Sequence, residues 1–252
     1  MNKKDLIKLG SDTAKSGFSN EKDIVAKFND WGKDEDARKW LLIMGYPIEE
    51  IEKVEAIQLH GYKTDVQVQI TIYMKKAIAA ENLSIKLVSN PQGFNQVDKR
   101  WIDKYVEMWK IPEDVAKLLK LYTGETRPDK SNLRDSRRMF FDEMPIVDQE
   151  KIINFFTKNK ILIISDILKG RGKFSAGWML VALKSKKESE WTLKSINHVM
   201  NLFANGDVEI TVRGSLRIGR VTMQRKGGDN GRESCQMLQF KINPVLLFNE
   251  EQ

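Results

Sequence analysis

Thr64-Asp65, eighteen intervening residues and then Ser84-Ile85-Lys86 form the arrangement in this chain best suited to chemistry. Val66, Val68, Ile70, Ile72 and Met74 alternate with Asp65, Gln67, Gln69, Thr71 and Tyr73. Strict period two describes a strand with one core face and one polar face. Leu83, Ile85 and Leu87 alternate with Ser84 and Lys86 in the same way, after an interruption at Lys75–Asn82. If the two strands pair, Asp65, Ser84 and Lys86 lie on polar faces that converge. Such a set suits phosphodiester hydrolysis, in which a divalent cation neutralises the phosphate and activates water. Oxygen ligands suit Mg²⁺, and a lysine orients the water or stabilises charge in the transition state. Asp65 would hold the metal, and the Ile85 carbonyl can face the same ion while its side chain stays in the core. Any exposed strand pair carrying an acid and a lysine has the same pattern, so the motif alone leaves a purely structural pair open.

The elements that must position these residues are legible in outline. Ser11–Trp31 reads as a helix with Ala14, Phe18, Ile24, Val25 and Phe28 as a rough stripe. A second helix covers about Asp34–Met44 and stops near Gly45 and Pro47. Asn90-Pro91-Gln92-Gly93 is a turn. Helices are expected over about Asn95–Lys110, Pro112–Tyr122, Asp148–Lys160 and Ser195–Ala204, and strands over Ile161–Leu168, Ala176–Lys184 and Glu190–Leu193. Thr123–Arg138, rich in Gly, Pro, Asp, Asn and Arg, reads as a linker. The tail reads as a hairpin, Leu216–Lys226 and Ser234–Ile242, joined by a glycine-rich loop.

Composition narrows the function classes. The 252 residues are 41% hydrophobic and 31% charged, which is ordinary globular chemistry. No apolar run approaches the roughly 18 residues of a membrane span. The N-terminus, MNKKDLIKLG, has no apolar signal region. A single cysteine, Cys235, excludes an internal disulfide and a cysteine zinc site. With only His60 and His198 there is little room for a histidine-built metal centre. A reducing cytoplasm is therefore expected. Net charge is +7 and unevenly spread. Residues 213–241 hold seven basic and two acidic side chains, whereas residues 21–55 hold six basic and ten acidic ones. A basic end and an acidic flank suit a polyanion on one face, or equally a mixed solvated surface.

Gln224, Arg225, Lys226, Asp229, Asn230 and Arg232 crowd the tip of the tail hairpin. A two-stranded ribbon fits the major groove of DNA. Arginine and lysine donate to guanine and aspartate accepts from cytosine, so the set suits G·C pairs. The plainer alternative is a solvated tip in which Asp229 and Asn230 only make the turn. Phe94, after Gly93, is a second candidate: an apolar side chain at a helix start can wedge between base steps, with Gln96 and Lys99 beside it. It can also staple the helix it precedes. Trp101, Tyr105 and Trp109 have the spacing of core residues.

Asp65, Ser84 and Lys86 resemble the site of the PD-(D/E)xK nuclease superfamily. Thr64 stands where that pattern has proline, and Ser84 where it has a second carboxylate. The hydroxyl carries no charge, so another group should supply it. Glu21, after Gly17-Phe18-Ser19-Asn20, sits where several such nucleases bring a helical glutamate to the metal. Lys86–Asn90, Gly93–Lys99, Trp101, Met108-Trp109, Arg171-Gly172, Gln224–Glu233 and Met237–Lys241 are similar to the small, monomeric type II restriction endonucleases that recognise GCGC. This likeness spans Gly10 to Phe248. It implies an α/β fold: a mixed-sheet, restriction-endonuclease-like catalytic core flanked by helices, at residues 1–140, and an α+β DNA-recognition domain at 141–252. It also implies Mg²⁺-dependent cleavage of double-stranded DNA at a short palindromic G/C site, metal ligands from Asp65, Ser84, Ile85 and Glu21, DNA contacts from Phe94, Gln96, Lys99 and the hairpin tip, and a partner DNA methyltransferase. A strand-nicking repair nuclease of the same superfamily is one rival reading. A non-catalytic sequence-specific DNA-binding protein, suggested by the missing carboxylate at Ser84, is the other.

Overall fold

Lys75 and Lys76 turn β2 (Val68–Met74) back on β3 (Ala77–Val88). The computed structural model describes residues 16, 18–59, 67–184, 189–228 and 232–249. β2 and β3 pair antiparallel from Met74↔Ala77 to Val68↔Leu83. The sequence interruption at 75–82 is thus a two-residue hairpin followed by the exposed first half of β3, where Ile78 lies in solvent. β1 (Ile51–Gln58), which alternation had not marked, pairs antiparallel with β2. β3 pairs in parallel with β5 (Trp178–Lys184), and β5 antiparallel with β6 (Ser189–Ser195). The order is β1-β2-β3-β5-β6. As the central strand, β3 buries Leu83, Ser84, Ile85 and Lys86 in succession, so its polarity alternates while its exposure does not.

α1 (residues 18–29) and α2 (Glu35–Ile43) cover one face of this sheet. Asp34 caps α2 by accepting from the Ala37 amide at 2.9 Å. Ile24, Phe28, Trp40 and Leu41 pack with Val54, Val68, Ile70, Leu83, Ile85, Leu180 and Leu193. The buried stripe of α1 is Asn20, Ile24 and Phe28, while Phe18, expected in the core, is exposed. A single boundary near residue 140 is not where the contacts divide the chain. One unit contains Met1–Asn95, Leu168–Val199 and Asn243–Gln252, the other Gln96–Ile167 and Met200–Ile242. The reason is topological: β3 needs β5 as its parallel neighbour, so the chain returns to the first sheet after building most of the second unit.

The second unit is built on the sheet β4-β10-β9-β8-β7. Its strands are β4 (Asn95–Arg100), β7 (Val208–Ile210), β8 (Leu216–Ile218), β9 (Val221–Arg225) and β10 (Leu238–Ile242). Its helices include α3 (Ile102–Trp109), α4 (Glu113–Thr123), α5 (Ile146–Lys158) and α6 (Lys160–Leu168), and α7 (Ile196–Ala204) carries the chain into it from the first unit. Tyr105, Trp109 and Phe240 cluster in its core.

Four expectations change here. Residues 95–100 form a strand rather than the start of a helix, because pairing beside β10 overrides weak local preference. Residues 160–168 form a helix rather than a strand: Ile163, Ile164, Ile167 and Leu168 are buried at helical spacing, and Asp166 accepts from the Trp109 indole at 2.8 Å. The run 216–226 is two strands, folded at Gly219 and Arg220. Gly219 has φ 57°, and a Cβ there would lie 2.6 Å from the Phe203 carbonyl oxygen, so only glycine fits. Cys235 falls in a short 3₁₀ turn, Glu233–Gln236, rather than within a strand. Among the described residues no helix is long and apolar enough to cross a membrane.

Candidate active site

β3 supplies the centre. Alternation turns Ile85 into the helix-side core and sends Ser84 and Lys86 to the opposite face. Ser84 is wholly buried and Lys86 is 7% exposed, beside the buried Met179 and Val181 of β5. Among the described residues Ser84 Oγ has no hydrogen-bond partner. An unmade hydrogen bond on a buried group costs about 1–3 kcal/mol, and natural chains seldom carry one without a use for it. Where β2 begins, the Gln67 amide donates to the Leu83 carbonyl at 3.0 Å, and Gln67 Oε1 accepts from the Ile85 amide at 2.7 Å. Gln67, immediately before β2, thus holds β3 through both its backbone amide and its side chain, next to the Val68↔Leu83 pair. Sequence alternation assigned Gln67 only to a polar face; its role as a substitute backbone partner had no sequence signal. Thr64, Asp65 and His60 lie outside the described residues.

Glu21 accepts a hydrogen bond from Gln58 Nε2 at the end of β1. Asp23 meets Lys184 at the end of β5 at 2.7 Å. Because β1, β3 and β5 run in one direction, the first turn of α1 lies across the sheet end that also carries Lys86. Glu21 thus reaches the correct end of the sheet, but from the helix-covered face, whereas Ser84 and Lys86 leave β3 by the other. In the same turn Asn20 is 1% exposed, and neither of its amide atoms has a partner among the described residues. Its signal was a polar residue four before Ile24 and eight before Phe28.

The donor chemistry fits a hard cation: a buried unpartnered hydroxyl and a strand carbonyl, with no histidine or cysteine nearby in the motif. Among the described residues no three His, Cys, Asp or Glu side chains lie together as a ready metal cluster. Ser84, the Ile85 carbonyl and the neighbouring acid of the motif would have to share the task.

The nucleic-acid candidates divide between the two units. Phe94 is 55% exposed. The staple reading falls away, because a strand rather than a helix follows it. Asn95, considered as a helix cap, instead donates to the Leu87 carbonyl at 3.0 Å. Gln96 is exposed and Lys99 half-buried. On the hairpin, Gln224 and Lys226 are half-buried and Arg232 is exposed; Asp229 and Asn230 lie outside the described residues. Arg225 departs from the expected base reader. Its side chain is only 8% exposed, Nη2 donates to Cys235 Sγ at 3.3 Å, and Nη1 lies 4.0 Å from Asp135.

A family model described as R.HinP1I restriction endonuclease matches residues 44–248. The chain belongs to this family. It is accordingly a type II restriction endonuclease, a site-specific deoxyribonuclease, of a kind that generally uses divalent metal ions. The match begins after α1, so Glu21 and Asn20 fall outside it. No curated protein matches the chain. Among solved structures, the restriction endonuclease MspI in complex with its cognate DNA aligns with a TM-score of 0.63 at 13% identity, covering 89% of this chain and 88% of that one. The R.HinP1I-family chain therefore has a restriction-endonuclease-like fold.

Proposed function

We propose that this endonuclease hydrolyses double-stranded DNA at GCGC with Mg²⁺ as its cation, acting as a cytoplasmic monomer alongside a methyltransferase that protects the same site. The observation that carries the catalytic part is the burial of Ser84 and Lys86 on one face of the central strand, the hydroxyl unpartnered. Asp65, the acid of the motif, is the anionic ligand, with Ser84 and the Ile85 carbonyl of β3 beside it, and Glu21 joins them only by reaching around the sheet end from the helix-covered face. When bound, the cation supplies charge neutralisation and a more acidic water. Lys86 holds its ammonium against the developing negative charge, where low polarity strengthens the attraction. Gln67 ties the Ile85 amide and so fixes the strand between the two active side chains.

The MspI neighbour was solved with its cognate DNA, which supports a duplex as the substrate. Phe94 is proposed as the wedge, with Gln96 and Lys99 following it, and Gln224, Lys226, Asp229, Asn230 and Arg232 as the reading tip. The GCGC specificity rests on the family resemblance and on the donor and acceptor types at that tip. Sequencing the fragment ends from a Mg²⁺ digest of a known genome tests the reading. Ends that all fall at GCGC support it, and ends at another repeated sequence overturn the specificity. Nicks confined to mispaired sites favour a repair enzyme, and bound but uncut DNA favours a non-catalytic binder.

A further inference from the structure

Three arginines converge on one carboxylate at the base of the tail hairpin. Asp135 accepts from Arg137 Nε at 2.8 Å and from Arg137 Nη2 at 3.0 Å. Arg138 Nε lies 3.5 Å from it and Arg225 Nη1 4.0 Å. Arg225 ends β9 and Lys226 begins the loop to β10. That loop is closed by Lys226 N donating to Met237 O at 2.8 Å and Gly227 N donating to Cys235 O at 3.0 Å. Gln239 Nε2 donates to the carbonyls of Arg225 and Lys226, and Gln236 Nε2 to that of Gly124 at the end of α4. The base of the hairpin is therefore fastened to the 123–138 segment of its own unit. Arg138 and Arg225 are both largely desolvated, and among the described residues the Nε of each has no hydrogen-bond partner. Two such cations close together need a shared anion, and Asp135 is the carboxylate present.

We propose that Asp135 is a positioning residue for sequence discrimination: it holds Arg225 inward as a strut, and so fixes where Lys226 and the rest of the tip meet the bases. The inference rests on the hairpin's proposed base-reading role. Removing the anion would free Arg225 and loosen the tip's register. Contacts to specific bases would suffer, while diffuse attraction to phosphates would not.

The test is a double-mutant cycle with Asp135→Asn, Arg225→Gln and both together. Each protein is titrated with a fluorescent duplex carrying the site mapped from the wild-type digest, and with a scrambled duplex, in Ca²⁺. Each single variant is expected to lose about tenfold in cognate affinity, with scrambled-duplex affinity within about twofold of wild type. The double variant should bind like either single, and Asp135→Glu should restore discrimination. An unchanged cognate-to-scrambled ratio overturns the proposal. So do parallel losses on both duplexes with a lowered Tm, or losses that multiply in the double variant. Arg225→Gln supplies the same readout should Asp135→Asn fold poorly. A wild type that shows no preference between the duplexes instead overturns the base-reading role of the hairpin.

Discussion

Replacing Ser84 with alanine should make the enzyme more stable and less active at once. Ser84 is wholly buried and its Oγ has no partner among the described residues. The native fold therefore carries an unmade hydrogen bond worth about 1–3 kcal/mol. Alanine removes that burden and loses only the packing of one oxygen. The net gain is about 1 kcal/mol, or about 2–4 °C in Tm for a chain of this size. Cleavage should fall by about 10–100-fold, the loss typical when a group supporting a metal is removed. Thermal unfolding without divalent metal and single-turnover cleavage with Mg²⁺ read the two halves separately. A destabilised Ser84→Ala would show that the hydroxyl is already bonded in the resting enzyme. Wild-type cleavage by the same variant would remove Ser84 from the site. Ser84→Asp sharpens the test. A carboxylate wholly buried without a cation should destabilise the fold by several kcal/mol. Millimolar Mg²⁺ should recover the loss by mass action if a cation binds beside it. Destabilisation indifferent to Mg²⁺ would place the ion elsewhere.

Lys86→Met keeps most of the side-chain volume but removes the ammonium from a 7% exposed position. Cutting should fall by about 100–1,000-fold, the range for electrostatic groups at a reacting centre, while duplex affinity in Ca²⁺ holds; retained cutting would dismiss Lys86 from catalysis. Phe94→Ala, at a 55% exposed side chain, should leave folding stability within about 0.5 kcal/mol of wild type and weaken cognate binding, whereas an equal loss of folding stability would return Phe94 to a packing role. The Asp135 carboxyl is held down to about 2, chiefly by its hydrogen bonds from Arg137. A lowered folded-state value stabilises the fold above the ordinary carboxylate range and loses that contribution as pH falls towards 2. Allowing for solvent screening around the exposed Arg137, the contribution is about 1–2 kcal/mol. The gap in urea-unfolding stability between wild type and Asp135→Asn should hold steady above about pH 5 and narrow between about pH 4 and 2.5; a gap constant across that range contradicts the pairing.

The first sheet was legible where exposure follows polarity. β2 alternates by one residue because one face meets α1 and α2 and the other does not, and the sequence shows it. β1 was missed because its burial follows a less regular pattern, with Lys53 and Glu55 among its apolar residues. Residues 95–100 and 160–168 were misassigned for opposite reasons. The first has polar side chains that tolerate a helix but pair beside β10. The second has β-branched side chains that favour a strand, yet it places Ile163, Ile164 and Ile167 on one helical stripe. In both, long-range packing outweighed local preference. The interleaving of the two units was not legible for a further reason: a parallel neighbour for β3 can come from anywhere later in the chain, and local pattern carries no trace of which segment returns.

The same distinction separates the candidate residues. Ser84 and Lys86 stood out because polar groups at alternate positions of an apolar strand look solvent-facing, and chemistry was the reason to notice them. Their burial sharpens that reason, since a surface lysine needs no explanation and a 7% exposed one beside an orphan hydroxyl does. Arg225 moves the other way. Composition made it a base reader, because the tip is basic and arginine suits guanine. Its guanidinium is instead turned towards Asp135, ninety residues earlier in the chain, and towards Cys235 across the loop. No spacing rule links those three positions. An arginine's charge is visible in sequence; whether that charge faces a ligand or an internal carboxylate depends on partners that only the fold brings close. If the cycle at Asp135 and Arg225 shows coupling, the tip's specificity depends on a residue that never touches the bases, and a list of exposed basic side chains would have left it out.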